Sequence, residues 1–472
     1  MKRILLLLLL LPVLVRPAAA QHAHPTAPRD TTHAAHATAD PAHAMETQAH
    51  GMTGVLGISQ AREGSGTSWL PDATPMHAVH GQAGNWSLML HGQAFLQYID
   101  EGSDRGDDQL GSINWIMGMA RRPLAGGEVT LRTMLSAEPW TVGDCGYPDL
   151  LATGETCNGE PLHDRQHPHD LFMELAVGYQ RALSQDLGLE LYGGLAAEPA
   201  LGPTAYPHRV SAFPGPLAPI SHHWLDATHI TFGSVTAGVF GRRWKAEASL
   251  FNGREPDEDR FDLDLDALDS YSGRLSFMPS GNWMLQVSAG QLTEAEPGHA
   301  PGDPRVDVTR YTASAIHHRP VGSNGLWAST IAWGHNVESD VGTNALLAET
   351  SLNLADRHIL SGRAEWVEKA GHDLVLADHE LEDEIFSVAK VGVGYTLQLP
   401  AIGGWSPGIG AGVSMSFLPD ELQADYGETR PFGFVVFGSI RPAAMRMGGA
   451  AHMPAPVDSA PMHHEPDGGT GH

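Results

Sequence analysis

The chain has 472 residues, a formal net charge of -27, 27 histidines and 54 glycines, and only 18% of it is charged. That acidity argues against nucleic acid as a partner, because phosphate binding needs clustered Lys and Arg, and it favours cations. Two cysteines are too few for a disulfide-framework protein.

In chain order, the first element is a targeting segment. Lys2 and Arg3 give a positive start, Ile4 to Val15 is a short aliphatic run, and Ala18-Ala19-Ala20 offers a small-residue cleavage site. The pattern predicts a signal peptide over residues 1–20. The competing reading is an anchor helix, for which the run is short, and no other stretch approaches the roughly twenty apolar residues a spanning helix needs. The mature chain, about 450 residues, then leaves the cytoplasm and is long enough for two or three ordinary domains or one large barrel.

Residues 21–84 follow, rich in Ala, His, Thr and Pro. They carry His22, His24, His33, His36, His43, Met45, His50 and Met52, with Met76, His77 and His80 further on. A matching tail over residues 442–472 carries Met445, Met447, His452, Met453, Met462, His463, His464 and His472. Neither tract offers enough apolar surface to offset its ordering entropy, so both are expected to be disordered. Spaced His and Met supply borderline nitrogen and soft thioether ligands, which suit copper better than calcium or magnesium. The plainer alternative is a solubilising spacer that responds to pH near the His pKa.

Between the tails, residues 85–441 alternate apolar and polar residues at period two. Trp244, Ala246, Ala248 and Leu250 share one face, with Lys245, Glu247 and Ser249 opposite; Leu187 to Leu195 places Glu190 and Tyr192 on its polar side. His358 to Trp366 sets Leu360, Ala364 and Trp366 against Ser361, Arg363 and Glu365. Roughly sixteen such segments of about nine to thirteen residues fit tilted spans of a bilayer. Their linkers alternate. Long ones include Thr141–Asp170, Pro199–Asp226 and Arg254–Asp269, and short ones include Pro123–Gly127, Arg242–Arg243 and Ala355–Arg357.

The expected fold is therefore all-β: a transmembrane antiparallel up-and-down barrel of about 16 strands, with disordered N- and C-terminal tails. An even strand count puts both tails on the side of the tight turns, the periplasm, and the acidic long loops outside. Arg132, Glu190, Lys245, Glu247, Arg363 and Glu365 fall on the inner face and predict a water-lined pore. Trp86, Trp115, Trp140, Trp244, Trp283, Trp366 and Trp405 lie near segment ends, as an interfacial girdle would. Cys145 and Cys157 predict a local disulfide in an outer loop, a thiol metal site being the alternative.

The pattern resembles bacterial porin-like outer-membrane barrels over about three quarters of the chain. Phe251-Asn252-Gly253-Arg254-Glu255-Pro256-Asp257-Glu258 and Asp269-Ser270-Tyr271-Ser272-Gly273-Arg274-Leu275 look like segments of outer-membrane proteins that accompany copper-handling genes. The His/Met-rich leader is similar in kind to that of copper-resistance protein B. One departure is the end: porins close on an aromatic residue, whereas here Phe432 to Ile440 is followed by a tail. The resemblance implies outer-membrane lipid and lipopolysaccharide as surroundings and a possible homo-oligomer.

The densest ligand cluster in the barrel region is His163-Asp164-Arg165-Gln166-His167-Pro168-His169-Asp170, with a second at Ser221-His222-His223-Trp224-Leu225-Asp226 and His229 nearby. Imidazole with carboxylate suits copper, zinc or nickel, and the two clusters meet if both loops fold into the lumen. Solvated polar loops are the bland alternative. The acidic run Asp257 to Asp266 lacks the glycine and terminal Glu of a calcium loop. With no phosphate loop, nucleophile elbow or zinc-protease motif, the chain is expected not to be an enzyme and to require no cofactor. The expectation is a channel for ions or small solutes tied to copper or another transition metal. A closed barrel that anchors metal-sequestering tails is the first rival, and an outer-membrane hydrolase the second.

Overall fold

The computed structural model describes residues 53–143, 145–296, 298 and 304–444. Sixteen antiparallel strands close into one barrel. They are β1 Trp86–Glu101, β2 Asn114–Leu124, β3 Gly127–Leu135, β4 Phe172–Ala182, β5 Gly188–Ala196, β6 Ser234–Phe240, β7 Trp244–Phe251 and β8 Ser270–Ser280. The second half is β9 Trp283–Glu296, β10 Val306–Val321, β11 Gly325–Glu338, β12 Val341–Leu354, β13 His358–Ala370, β14 Ile385–Gln398, β15 Trp405–Phe417 and β16 Phe432–Pro442. Each strand pairs with its sequence neighbours. The seam is β1, which pairs with β2 from Ser87 to Ala94 and with β16 from Ala94 to Glu101. Closure leaves no free edge between the two ends of the barrel.

Burial runs opposite to that of a soluble sheet. On β7, Lys245, Glu247 and Ser249 are buried while Trp244 and Leu250 are exposed. On β8, Ser272, Arg274 and Ser276 are buried and Tyr271, Leu275 and Phe277 face outward, Leu275 at 59% exposure. Leu96, Leu191, Val235, Val287, Ile331, Leu346, Val393 and Ile409 continue that apolar belt round the circumference. The period-two pattern is thus the pattern of a barrel whose outside is oily.

Connections at one end are tight and at the other long. Ser339-Asp340 is the exception among the long ones: both residues have positive φ, as a two-residue hairpin turn requires.

The lumen is filled from both ends. From the tight-turn end comes residues 53–78, which the sequence pattern assigns to a disordered tail. Instead Glu63 pairs with Arg121 and Arg132 on the wall, Arg62 chelates Asp72, and Trp69 packs on Phe240. From the long-loop end, residues 197–233 fold inward. Arg209, fully buried, bonds Asp226 at 2.5 Å and Glu349 of β12 at 2.7 Å. The two inserts meet in the middle, where Ser68 Oγ lies 2.8 Å from Thr204 Oγ1 and the Ala205 N–H donates to Ser65 Oγ at 2.8 Å. Residues 79–83 then pair with β1, so they too are strand and not tail.

This changes the role of the inner-face charges. Arg132, Glu190, Lys245, Glu247, Arg363 and Glu365 do point inward, but they clasp the inserts rather than line open water. Lys245 lies 2.9 Å from Glu190 and 3.4 Å from Glu247 and donates to the Thr67 carbonyl. Arg132 donates to the Gly66 carbonyl, Arg363 to those of Leu217 and Ala218, and Glu365 accepts from the Ser221 N–H and hydroxyl. Buried charges persist in such a site only when paired and hydrogen-bonded, which these are. Trp115 also departs from the girdle: it faces the lumen, against His91 and His208. The two low-complexity histidine sets, His22 to Met52 and His452 to His464, lie outside the described residues.

Candidate metal centre

Two loops build the site. Cys145 and Cys157 are disulfide-bonded with Cα atoms 5.4 Å apart, and they staple the hairpin Tyr147–Cys157 and Glu160–Gln166. His167 to Asp170 leave that hairpin and run to β4. Opposite them, on the infolded loop, is the helical turn His222–Leu225. It sits directly on the backbone of β11, where a Cβ on Gly334 would stand 2.3 Å from the Trp224 carbonyl oxygen. Trp224 Nε1 donates to Thr343 at 2.9 Å and Asn336 donates to the His223 carbonyl at 3.2 Å, so the turn is fixed to the wall.

These elements bring His167, His222, His223 and His229 together with His169 in one chamber. The His222 ring lies 5.1 Å from that of His229 and 5.3 Å from that of His223, and the His167 ring 6.1 Å from that of His223. One ring nitrogen from each of His167, His222 and His223 falls within 4.8 Å of the others. Each of the three has Nδ1 on a carboxylate: His167 on Glu155 at 3.2 Å, His222 on Asp226 at 2.8 Å and His223 on Glu255 at 3.1 Å. For His222 and His223 that contact fixes the ring and leaves Nε2 as the free ligand, the usual outer support of a histidine that binds metal, while His167 Nδ1 also lies 3.3 Å from the Pro168 carbonyl. His223 Nε2 and His229 Nε2 are buried with no hydrogen-bond partner. Buried polar atoms are normally satisfied, so two unpaired imidazole nitrogens facing one chamber call for a guest.

Burial holds His167, His222 and His229 below the ordinary imidazole range, with neighbouring histidines and, for His167, Arg260 adding to the effect. Their lone pairs are therefore free at neutral pH. Burial would raise the Asp226 carboxyl, but Arg209 and the bond from His222 outweigh it and hold it well below its usual range. Asp226 is the hub: it accepts from His222, from Arg209 and from the Tyr206 N–H at 2.8 Å. Glu155, by contrast, is pushed up to about 8 by burial despite Arg260 beside it. A neutral three-imidazole set with the ionised carboxylates of Asp226 and Glu255 behind it fits zinc or copper, with further positions left for a fourth ligand.

Not every histidine expected here is a ligand. His169 is occupied on both nitrogens, Nδ1 by Glu138 at 2.9 Å and Nε2 by Tyr206 Oη at 3.0 Å, so it braces the chamber. His163 is turned away to Arg105 and Asp164, and Asp170 faces Arg260 at 3.8 Å. Glu138, Glu155, Glu255 and Tyr206 are the residues that sequence reasoning missed. They are three acids and a tyrosine spread over three connections, and no spacing marks them. Glu255 and Glu296 also form a second ligand group through a shared His223, while the group Asp257, Asp262 and Asp264 lies on the acidic connection between β7 and β8.

Gly154 has a structural reason. Its φ is +116°, and a Cβ there would lie 2.2 Å from the His223 ring, so only glycine lets the imidazole pass over the hairpin.

No protein-family model matches the chain, and no curated protein matches it. Solved structures it is similar to include an anion-selective porin from Comamonas acidovorans, at 11% identity and a TM-score of 0.46, over 76% of this chain and 100% of that one. Another is Salmonella typhi OmpF in complex with daunomycin, at 8% identity and a TM-score of 0.46, over 77% and 100%. A third is the outer-membrane expressed OmpT of Vibrio cholerae, at 9% identity and a TM-score of 0.43, over 77% and 100%.

Proposed function

We propose that this protein is an outer-membrane barrel of a Gram-negative bacterium that binds a transition-metal ion in its occluded lumen and governs the passage of such ions. The oily belt with aromatic residues at its margins supports the membrane setting. The tight turns and the chain's two entries into the barrel, before Trp86 and after Pro442, then face the periplasm. The observation that carries the metal reading is the set His167, His222 and His223, which bring ring nitrogens within 4.8 Å of one another and each hold Nδ1 beside a carboxylate. The chamber sits at the inner end of the long loops, where an ion entering from outside meets it first. Binding and passage account for the site without a reaction, and no cofactor beyond the ion is invoked.

Cobalt(II) titration of the full chain in detergent tests this, because four-coordinate cobalt(II) gives intense long-wavelength visible bands, whereas the water-bound ion absorbs only weakly. The full chain is expected to develop those bands, and His222→Ala to weaken binding at least tenfold. Equal binding in the two proteins would remove the chamber from the function.

A further inference from the structure

A second cavity, about 130 Å³, lies in the lumen nearer the tight-turn end. Its wall carries Met89, His91, Met117 and Met119. On the β1–β2 ladder Met89 is directly opposite Met119 and His91 directly opposite Met117. The four side chains thus form a two-by-two square on one face, with opposed Cβ atoms about 4.5–5.5 Å apart, within reach of a common point for flexible thioethers. His91 Nε2 is buried without a partner. Over the square comes His208 from the infolded loop, its ring 5.6 Å from that of His91. His77 of the N-terminal insert borders the same cavity, and its Nδ1 is also buried and unpaired.

Hydrophobic packing explains methionines against a loop, but leucine would serve as well, and packing does not explain the unpaired imidazole nitrogens beside them. The charges on the wall narrow the guest further. Arg121 is neutralised by Glu63, and Arg132 by Glu63 at 3.2 Å and Glu174 at 3.6 Å. Arg441 lines the same cavity and adds a positive charge that disfavours a divalent ion more than a monovalent one. Thioether and neutral imidazole are the donors of choice for soft ions.

We infer that Met89, His91, Met117 and Met119 form a second, softer metal site in the lumen, closed over by His208, that takes a monovalent thiophilic ion such as copper(I) or silver(I). His208 also borders a smaller cavity shared with Met134, Met173 and His229. His229 belongs to the histidine chamber, so this small cavity is lined by a residue of each site. The soft site shares no ligand with the chamber and stands or falls apart from it.

Silver(I), which needs no reductant, is the probe. The full chain in detergent is titrated with silver(I) against a competing chelator, beside Met89→Leu, Met119→Leu and the double variant Met117→Leu/Met119→Leu. Leucine conserves volume, and heat-modified gel migration reports barrel closure. The expected result is at least a tenfold weaker silver(I) site in each single variant and the loss of one equivalent in the double. Cobalt(II) binding should be unchanged in all of them, and silver(I) binding unchanged in His222→Ala. Both single variants closing as barrels and binding silver(I) as the parent does would overturn the inference, whatever cobalt(II) shows at the chamber.

Discussion

Asp226 shows how one carboxylate sets a whole site. It orients His222, anchors the fully buried Arg209 and caps the Tyr206 N–H, so the infolded loop and the chamber depend on the same group. Gly154 acts by having no side chain. Gly154→Ala places a methyl group in the His223 ring on a backbone that alanine avoids, so metal affinity should fall at least tenfold, about 1.4 kcal/mol, while the barrel still closes. Cobalt(II) titration of the variant beside the parent measures it, and an unchanged affinity would mean that His223 is not a ligand. The histidines were legible in the sequence because two dense clusters fell in long linkers of one barrel end. Their supports were not. Glu138 and Glu155 stand 31 and 12 positions before His169 and His167, and Glu255 lies in another connection from His223, so only the fold brings them together.

The strands were readable because alternation at period two is a local property, and outward Leu or Val against inward Ser, Lys or Glu survives any error of register count. The N-terminal insert was not readable. Its residues have no period, and what orders them is ion pairing with strands far along the chain: Glu63 reaches Arg121 and Arg132, 58 and 69 positions away. Glu198 stands where the two inserts meet, with Arg274 at 4.0 Å and Glu174 and Asp226 adding negative charge. Burial, only partly offset by Arg274, pushes its carboxyl up to about 8, against about 4.3 when exposed. A raised carboxyl favours the docked state at low pH and loses that contribution as pH rises through the interval up to about 8. The conducting fraction in planar bilayers should therefore grow with pH, by at most about tenfold per unit between about pH 5 and pH 8, and level off above. Glu198→Gln, neutral throughout, should abolish that dependence; a variant that keeps the full pH response would place the switch elsewhere.

At the scale of the molecule, three layers answer to three environments. The outer surface is apolar between aromatic margins, the wall's inner face is charged but paired, and the infolded loop with its neighbouring hairpin carries the histidine chamber. A charge on the outer belt should be costly where one on a loop is not. Leu275→Lys, at the middle of β8, should lower folding stability in lipid vesicles by about 2–4 kcal/mol in a urea titration. A change of less than about 0.5 kcal/mol, the size of an ordinary surface substitution, would deny that this belt faces lipid. The expected open pore is the reading the structure revises most, because inward polarity is the same whether it meets water or an insert.

The central claim is that the lumen holds a transition metal between His167, His222 and His223. The most direct measurement is an anomalous difference map from crystals of the full chain grown with zinc(II), collected on both sides of the zinc edge. The account predicts a peak within about 2.0–2.1 Å of three histidine nitrogens in that chamber. A chamber without an anomalous peak in crystals that bind zinc(II) elsewhere on the chain would contradict it.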